Sequence, residues 1–365
     1  TGTSANGCTN SATATVTVNP LPNVTVNSPA ICFGTRASLT ASGASTYTWT
    51  GGLPDGASVT TPVLTAPASY TVTGTDSRGC VNTATSNVTI NASPVVSVTS
   101  PVICSGQTAS ITASGASTYT WSGGLAAGAT TTTPALTSTT NYTVIGTDAN
   151  GCKDTAISTV RVNALPNVSV TNPVICSGQS TTITASGANT YTWTGGLAAG
   201  ATTSTPVLTS TTNYTVTGTD ANGCQNTAVS TVRVNPLPNV TVNSPSICAG
   251  QTATLNASGA STYTWSGGLP NGATVTTPVL SANTSYTVTG TSINGCSNSA
   301  TSTVTVNALP NVRVNSPGIC IGTSATLTAS GATTYTWTGG LPNGAIVTTP
   351  ILNSNISYTV TGTDA

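Results

Sequence analysis

Residues 46–52 read Thr-Tyr-Thr-Trp-Thr-Gly-Gly, and the phrase returns at 118–124, 190–196, 262–268 and 334–340 with only Thr or Ser varying after the Trp. The five tryptophans, Trp49, Trp121, Trp193, Trp265 and Trp337, are thus spaced by a constant 72 residues. Inside the phrase Tyr and Trp alternate with Thr, the two-residue period of a strand with one buried face. The aromatic pair faces a core, the threonines face water, and the glycine pair supplies positive φ for a turn. A 72-residue unit with its own aromatic core is domain-sized, and longer than solenoid repeats that must stack to bury anything. The chain reads as domains strung in series.

The rest of one unit follows the same period. Val24 and Val26 share a face, as do Ala37, Leu39 and Ala41, and Tyr47 with Trp49. Leu64 falls in a middle strand within Val-Thr-Thr-Pro-Val-Leu-Thr; Tyr70 and Val72 follow, and Val88 with Ile90 closes the unit. No stretch carries a helical period. About seven short strands with turns every 8–12 residues predict an immunoglobulin-like sandwich. The expected fold is all-β, a linear array of immunoglobulin-like β-sandwich domains. Trp49 takes the place of the core Trp of the third strand. Tyr70 takes the place of the tyrosine corner, as do Tyr142, Tyr214, Tyr286 and Tyr358 in the other copies. Antibody domains carry a Cys two residues after that Tyr; here it is Val72, so Leu39 and Val72 are expected to pack on Trp49 instead.

Asn19-Pro20-Leu21-Pro22 has counterparts at Asn91 to Pro94, Asn163 to Pro166, Asn235 to Pro238 and Asn307 to Pro310. Proline removes a backbone donor and favours an extended, semi-rigid joint. Repeats are therefore expected at 20–91, 92–163, 164–235, 236–307 and 308–365, the last without its final strand. Residues 1–19 are expected to be the closing strand of a preceding repeat. Residues 1–5 and 361–365 share a phase, which leaves two readings. Either the sequence is a window on a longer array, or the strand near residues 8–18 completes the last domain of another subunit.

Composition narrows the function classes. Only 3% of residues are charged, six basic and six acidic, and there is no His, Met or Glu. Without His there is no ordinary base near neutral pH and no His-type metal site. Six positive charges cannot make a nucleic-acid footprint. No run of about 18 apolar residues exists to span a membrane. Abundant Thr and Ser have no base at a repeated position to activate them, and Thr is at home on solvent-facing strand positions. No enzyme activity and no cofactor are expected. Asp76, Asp148, Asp220 and Asp364 hold one position of a Gly-Thr-Asp turn, replaced by Ser4 and Ser292 in the other copies. Asp and Ser both bond turn backbone, so a turn cap is the expectation and a calcium site the alternative. Trp–Tyr pairs could be carbohydrate platforms, but their alternation puts them in a core. Asp154-Thr155-Ala156 matches an O-glycosylation acceptor pattern, with Thr155 as the acceptor.

The stretches Ile31-Cys32-x-Gly34 to Ala41-Ser42-Gly43, Tyr47 to Gly52, and Tyr70-Thr71-Val72 to Gly79-Cys80 recur throughout. They resemble the tandem Ig-like or PKD-like repeats of very large secreted Bacteroidota surface proteins, such as gliding adhesins and other cargo of type IX secretion. That resemblance implies an extracellular or cell-surface protein. Such repeats occur in adhesins, stalks, sheaths and multidomain enzymes alike.

Ten cysteines fall in two phases, at 32, 104, 176, 248 and 320, and at 8, 80, 152, 224 and 296. With no CxxC pair and no His, disulfides are expected and a zinc cluster is not. In an immunoglobulin topology the loop before the second core strand and the last hairpin turn lie at opposite poles. Cys32 and Cys80 would be more than about 20 Å apart, whereas a disulfide needs Cα atoms within about 7 Å. Both loops flank the same joint, so Cys32–Cys152, Cys104–Cys224 and Cys176–Cys296 are favoured. The alternative keeps each bond inside one repeat: Cys32–Cys80, Cys104–Cys152, Cys176–Cys224 and Cys248–Cys296.

The expected role is a structural shaft of an extracellular adhesin or filament, stiffened by prolyl joints and cross-links. The alternatives are a self-assembling sheath or filament subunit and a glycan-binding region of a secreted hydrolase. Its partners would be further repeats beyond both ends, with self-association and surface glycans as the outside contacts this role admits.

Overall fold

The computed structural model describes residues 1–364, and these form strands and turns without a helix. They divide into two compact units, Thr1–Asn167 with Thr219–Asn226, and Val168–Gly218 with Thr227–Ala365. The chain is all-β, a tandem series of immunoglobulin-like sandwiches.

Repeat 1, in the first unit, shows the plan. One sheet has three antiparallel strands in the order Thr25–Val26, Ser38–Ser42, Ser58–Thr60. The facing sheet has four, in the order Ala30–Cys32, Val81–Asn91, Ala68–Thr75, Thr46–Trp49. Its pairs are antiparallel except the first, where Ala30–Cys32 runs parallel to Thr89–Asn91. Repeat 2 repeats both sheets in the same order.

Alternation decides which side chains meet. In Ser38–Ser42 and Thr46–Trp49 every second residue is buried, so Leu39, Ala41, Tyr47 and Trp49 point between the sheets and Thr and Ser point out. Val72, the Cα partner of Trp49 across the strand pair, is fully buried and shares a core with Trp49 and Leu39. Two buried hydroxyls recur. Thr61 Oγ1 accepts from the Ala37 N–H at 2.9 Å and donates to the Pro62 carbonyl at 2.9 Å. Ser86 Oγ donates to the Asn27 carbonyl at 2.7 Å, strapping the closing strand to the first one. In the second copy Thr133 Oγ1 accepts from the Ala109 N–H and Ser158 Oγ donates to the Thr99 carbonyl.

Three sequence expectations need correcting. Cys32 is not in a loop between the first two strands: Thr25–Val26 pairs in one sheet and Ala30–Cys32 in the other, with Pro29 between them. Leu64 makes only an isolated bridge to Thr35, and the strand of that region is Ser58–Thr60. Pro62 lacks the N–H that would carry the ladder onward. The phenol that closes on the main chain is that of Tyr47, which donates to the Ala44 carbonyl and accepts from the Ala44 N–H, both at 2.8 Å. The buried Tyr70 ring lies beneath the turn glycine Gly51 instead.

Gly43 shows what the tight packing demands. Its φ is +93°, and a Cβ there would overlap the carbonyl oxygen of Asn23. Gly43→Ala is expected to cost about 2 kcal/mol or more through backbone strain, with the collision in addition. Thermal denaturation followed by hydrogen exchange should show the loss confined to repeat 1.

In the second unit, repeat 4 has the full pair of sheets. Repeat 3 has the three-stranded sheet Ser169–Val170, Thr182–Ser186, Thr202–Ser204. Repeat 5 keeps its three-stranded sheet, and among its described residues Thr334–Trp337 pairs with Val360–Thr363 in the other. Each repeat has its own apolar cluster.

Candidate functional site

Two local structures present the cysteines. The first is the short strand that ends at Cys32. Its parallel pairing puts Cys32 opposite Asn91, the last residue of the closing strand, so Cys32 stands where the chain leaves repeat 1. Phe33 N–H donates to the Asn91 carbonyl at 2.9 Å, and Thr35 donates to the Cys32 carbonyl through Oγ1 at 2.7 Å. Cys104, Cys176 and Cys248 hold the same register opposite Asn163, Asn235 and Asn307.

The second structure is the turn before the closing strand. Asp148 Oδ1 accepts from the N–H groups of Asn150 and Cys152 at 2.9 and 2.8 Å, while Asp148 N–H donates to the Cys152 carbonyl at 2.9 Å. Asp76 and Asp220 make the same pair of bonds, to Arg78 with Cys80 and to Asn222 with Cys224. Ser292 Oγ accepts from Cys296 N–H at 3.2 Å. The acid or hydroxyl is an Asx-type cap that fixes the cysteine. Asp364, expected at the same position, instead accepts from Thr333 N–H at 3.1 Å. Among the described residues no three His, Cys, Asp or Glu side chains gather into a cluster that could hold a metal ion.

The structure joins these two elements from neighbouring repeats. Cys32 is bonded to Cys152, Cys104 to Cys224 and Cys176 to Cys296, each pair 120 residues apart with Cα atoms 5.5 Å apart. The cysteines on the turn side, Cys152, Cys224 and Cys296, are at most 1% exposed. None of the bonds Cys32–Cys80, Cys104–Cys152 or Cys176–Cys224 is formed, and Cys248 is not bonded to Cys296. Cys8, Cys80, Cys248 and Cys320 have no disulfide partner among the described residues.

One further contact at the joints carries no signal in the repeat reading. Asn82 Nδ2 donates to the Pro22 carbonyl at 2.9 Å, and Asn226 and Asn298 do the same to Pro166 and Pro238. Asp154 holds that position in repeat 2, where Oδ2 accepts from Val96 N–H at 3.2 Å. Each bond ties a repeat's entry segment to its closing strand. Thr155 is exposed on that strand.

The aromatic residues lie in the sandwiches. Trp49, Trp121, Trp193, Trp265 and Trp337 are buried, and each indole N–H donates to a glycine carbonyl seven residues on, Gly56 in repeat 1. Tyr70, Tyr142, Tyr214 and Tyr286 are buried; Tyr358 is half-buried, a departure from the expected core position.

Residues 236–310 match the family model described as an Ig-like domain, CHU_C associated. That span is the fourth repeat with the start of the joint that follows it. No curated protein matches the chain by sequence. Among solved structures the chain is similar to a Ca²⁺-stabilised adhesin of an Antarctic bacterium that helps it reach out and bind ice. The identity is 15%, over 79% of this chain and 100% of that one, with a TM-score of 0.30. It is also similar to titin domains I67–I69, at 12% identity over 59% of this chain and 99% of that one, TM-score 0.31. A third is the N-terminal eight Ig domains of Down Syndrome Cell Adhesion Molecule, at 12% identity over 95% and 70%, TM-score 0.24. Likenesses this distant say nothing of what the chain does.

Proposed function

We propose that the chain is a structural shaft of an extracellular bacterial adhesin or surface filament, in which repeats 20–91, 92–163, 164–235, 236–307 and 308–365 are the building blocks. One observation carries the reading: consecutive repeats are joined by disulfides from the exit of one to the last hairpin turn of the next. A bond placed there adds nothing to a catalytic or ligand-binding centre and does add a second covalent connection beside each prolyl joint. Disulfides persist in oxidising compartments, which supports a place outside the cell. No helix among the described residues is long and apolar enough to cross a membrane. The fourth repeat's match to the CHU_C-associated Ig-like domain supports a bacterial Ig-like repeat array, and the resemblance of the repeat motifs extends the reading to a secreted Bacteroidota surface protein carried by type IX secretion.

Small-angle scattering tests the shaft. Five repeats of roughly 35 Å each, from strand length plus loops, predict a particle with a longest dimension on the order of 170 Å. A radius of gyration near the value of about 21 Å for a compact chain of this length would overturn the reading.

A further inference from the structure

Two of the three disulfides form a matched pair. Cys104 and Cys176 lie in identical stretches, Val102-Ile103-Cys104-Ser105-Gly106-Gln107 and Val174-Ile175-Cys176-Ser177-Gly178-Gln179. In both, the cysteine N–H donates to the glutamine Oε1 three residues on at 3.1 Å. An arginine stands opposite the valine in both, Arg161 and Arg233. On the other side of each bond, Asn226 and Asn298 follow two residues after Cys224 and Cys296.

The turns that hold Cys224 and Cys296 differ in charge. Asp220 Oδ1 accepts from the Asn222 and Cys224 N–H groups, both at 2.8 Å, which sets a carboxylate beside the disulfide. In the other turn Ser292 Oγ accepts from Cys296 N–H at 3.2 Å. The two turns otherwise close alike. Asp220 N–H donates to the Cys224 carbonyl at 2.9 Å, and Ser292 N–H to the Cys296 carbonyl at 2.8 Å. Ile293 and Ser297 replace Ala221 and Gln225, all uncharged, so the charge difference between these segments is one carboxylate. Cys32–Cys152 is a mixed case, since Asp148 is accompanied there by Lys153 and by Arg36 four residues after Cys32.

A disulfide opens by attack of a thiolate, and negative charge builds on the sulfur that leaves. Cys224 and Cys296 are fully buried, whereas Cys104 and Cys176 are half-buried. Attack therefore falls on Cys104 or Cys176, and the buried sulfur in the turn departs. The Asp220 carboxylate opposes both the approaching thiolate and the charge on the departing one; the Ser292 hydroxyl opposes neither. A unit charge at about 4 Å is worth roughly a factor of five even in water.

We infer that Cys176–Cys296 is the redox-labile link of the chain, which a thiol such as glutathione opens ahead of Cys104–Cys224. A glutathione thiolate attacks Cys176 Sγ, the bond between the two protein sulfurs breaks, and Cys296 leaves as a thiolate that takes a proton from water. A second glutathione thiolate attacks the glutathione sulfur of the mixed disulfide and releases the Cys176 thiolate, which is protonated in turn. The protein disulfide gains two electrons, and two glutathiones are oxidised to glutathione disulfide.

The order decides whether mild reduction changes the length of the chain. Cys176–Cys296 bypasses residues 177–295, so opening it alone frees roughly 400 Å of contour at about 3.3–3.6 Å per residue. Cys104–Cys224 lies off the shortest covalent path, and opening it alone frees none. That consequence rests on the shaft reading; the order of opening rests on the two sites alone.

A reduction time course on the 365-residue chain tests the order. Free thiols are first blocked with N-ethylmaleimide, glutathione is added, and samples are quenched with iodoacetamide for peptide mapping. Cys176 and Cys296 should become alkylated about fivefold faster than Cys104 and Cys224. Asp220→Asn, which keeps the acceptor and removes the charge, should bring the two rates together. Ser292→Asp should slow the opening of Cys176–Cys296 about fivefold. The charge of the reagent gives a readout that a merely looser turn would not move. Cysteamine, whose ammonium is drawn to Asp220, should narrow the gap relative to the anionic thiol mercaptopropionate. Equal rates in the parent chain, faster opening of Cys104–Cys224, a gap that Asp220→Asn leaves unchanged, or the same gap with both reagents overturns the inference. None of these results bears on the scattering test of the shaft, so the two readings fail separately.

Discussion

Replacing Trp49 with alanine unfolds repeat 1 and leaves the other repeats folded. The indole is 9% exposed, packs with Leu39 and Val72 in the core of its own repeat, and donates to the Gly56 carbonyl at 2.9 Å. Truncating a core aromatic costs about 3–5 kcal/mol. At roughly 0.05–0.15 kcal/mol per residue, a 72-residue domain has only about 4–11 kcal/mol in total. The midpoint of repeat 1 should fall by roughly 12 °C or more, given about 4–8 °C per kcal/mol in a domain of this size. Hydrogen exchange read by mass spectrometry should show residues 20–91 losing protection while the later repeats keep theirs. Simultaneous loss across the chain would mean that the repeats do not fold as separate units.

Reduction lengthens the chain under tension. With the disulfides intact, the covalent path from end to end runs through residues 1–32, 152–176 and 296–365, because two bonds bypass residues 33–151 and 177–295. At about 3.3–3.6 Å per extended residue, the bypassed stretches hold roughly 800 Å of contour length. Single-molecule stretching should recover that length only in the presence of a reductant. Cys104→Ser should leave the hidden length unchanged, since Cys104–Cys224 lies off the shortest path. Equal contour lengths with and without reductant would refute the arrangement. Release of the stretch between residues 104 and 152 on Cys104→Ser would point to bonds within repeats.

Much of this fold is legible because the inner face of each sandwich is written in a strict two-residue alternation. Leu39, Trp49, Val72 and Val88 are all at core positions that the pattern marks. What the pattern does not carry is where a strand changes sheets. Between Val24 and Cys32 the side chains are compatible with one strand, and the switch rests on a break at Pro29 that reads as an ordinary loop. The two tyrosines of a repeat are equally ambiguous. Tyr47 and Tyr70 each sit two residues before a core residue, and only the path of residues 43–46 brings the Ala44 main chain within reach of the Tyr47 phenol. The asparagines at 82, 226 and 298 gave no warning of their bonds to the joints, because the register that aligns them with Pro22, Pro166 and Pro238 is tertiary. The cysteines were the reverse case. Loop polarity in a sandwich, together with the reach of a disulfide, was enough to weigh neighbouring repeats against a single one.

Peptide mapping of the non-reduced protein tests the central claim, that the disulfides bridge neighbouring repeats. After digestion without reductant, the peptide containing Cys104 should be found linked to the one containing Cys224, and the peptides of Cys32 and Cys176 linked to those of Cys152 and Cys296. A linked pair containing Cys104 and Cys152 would contradict it.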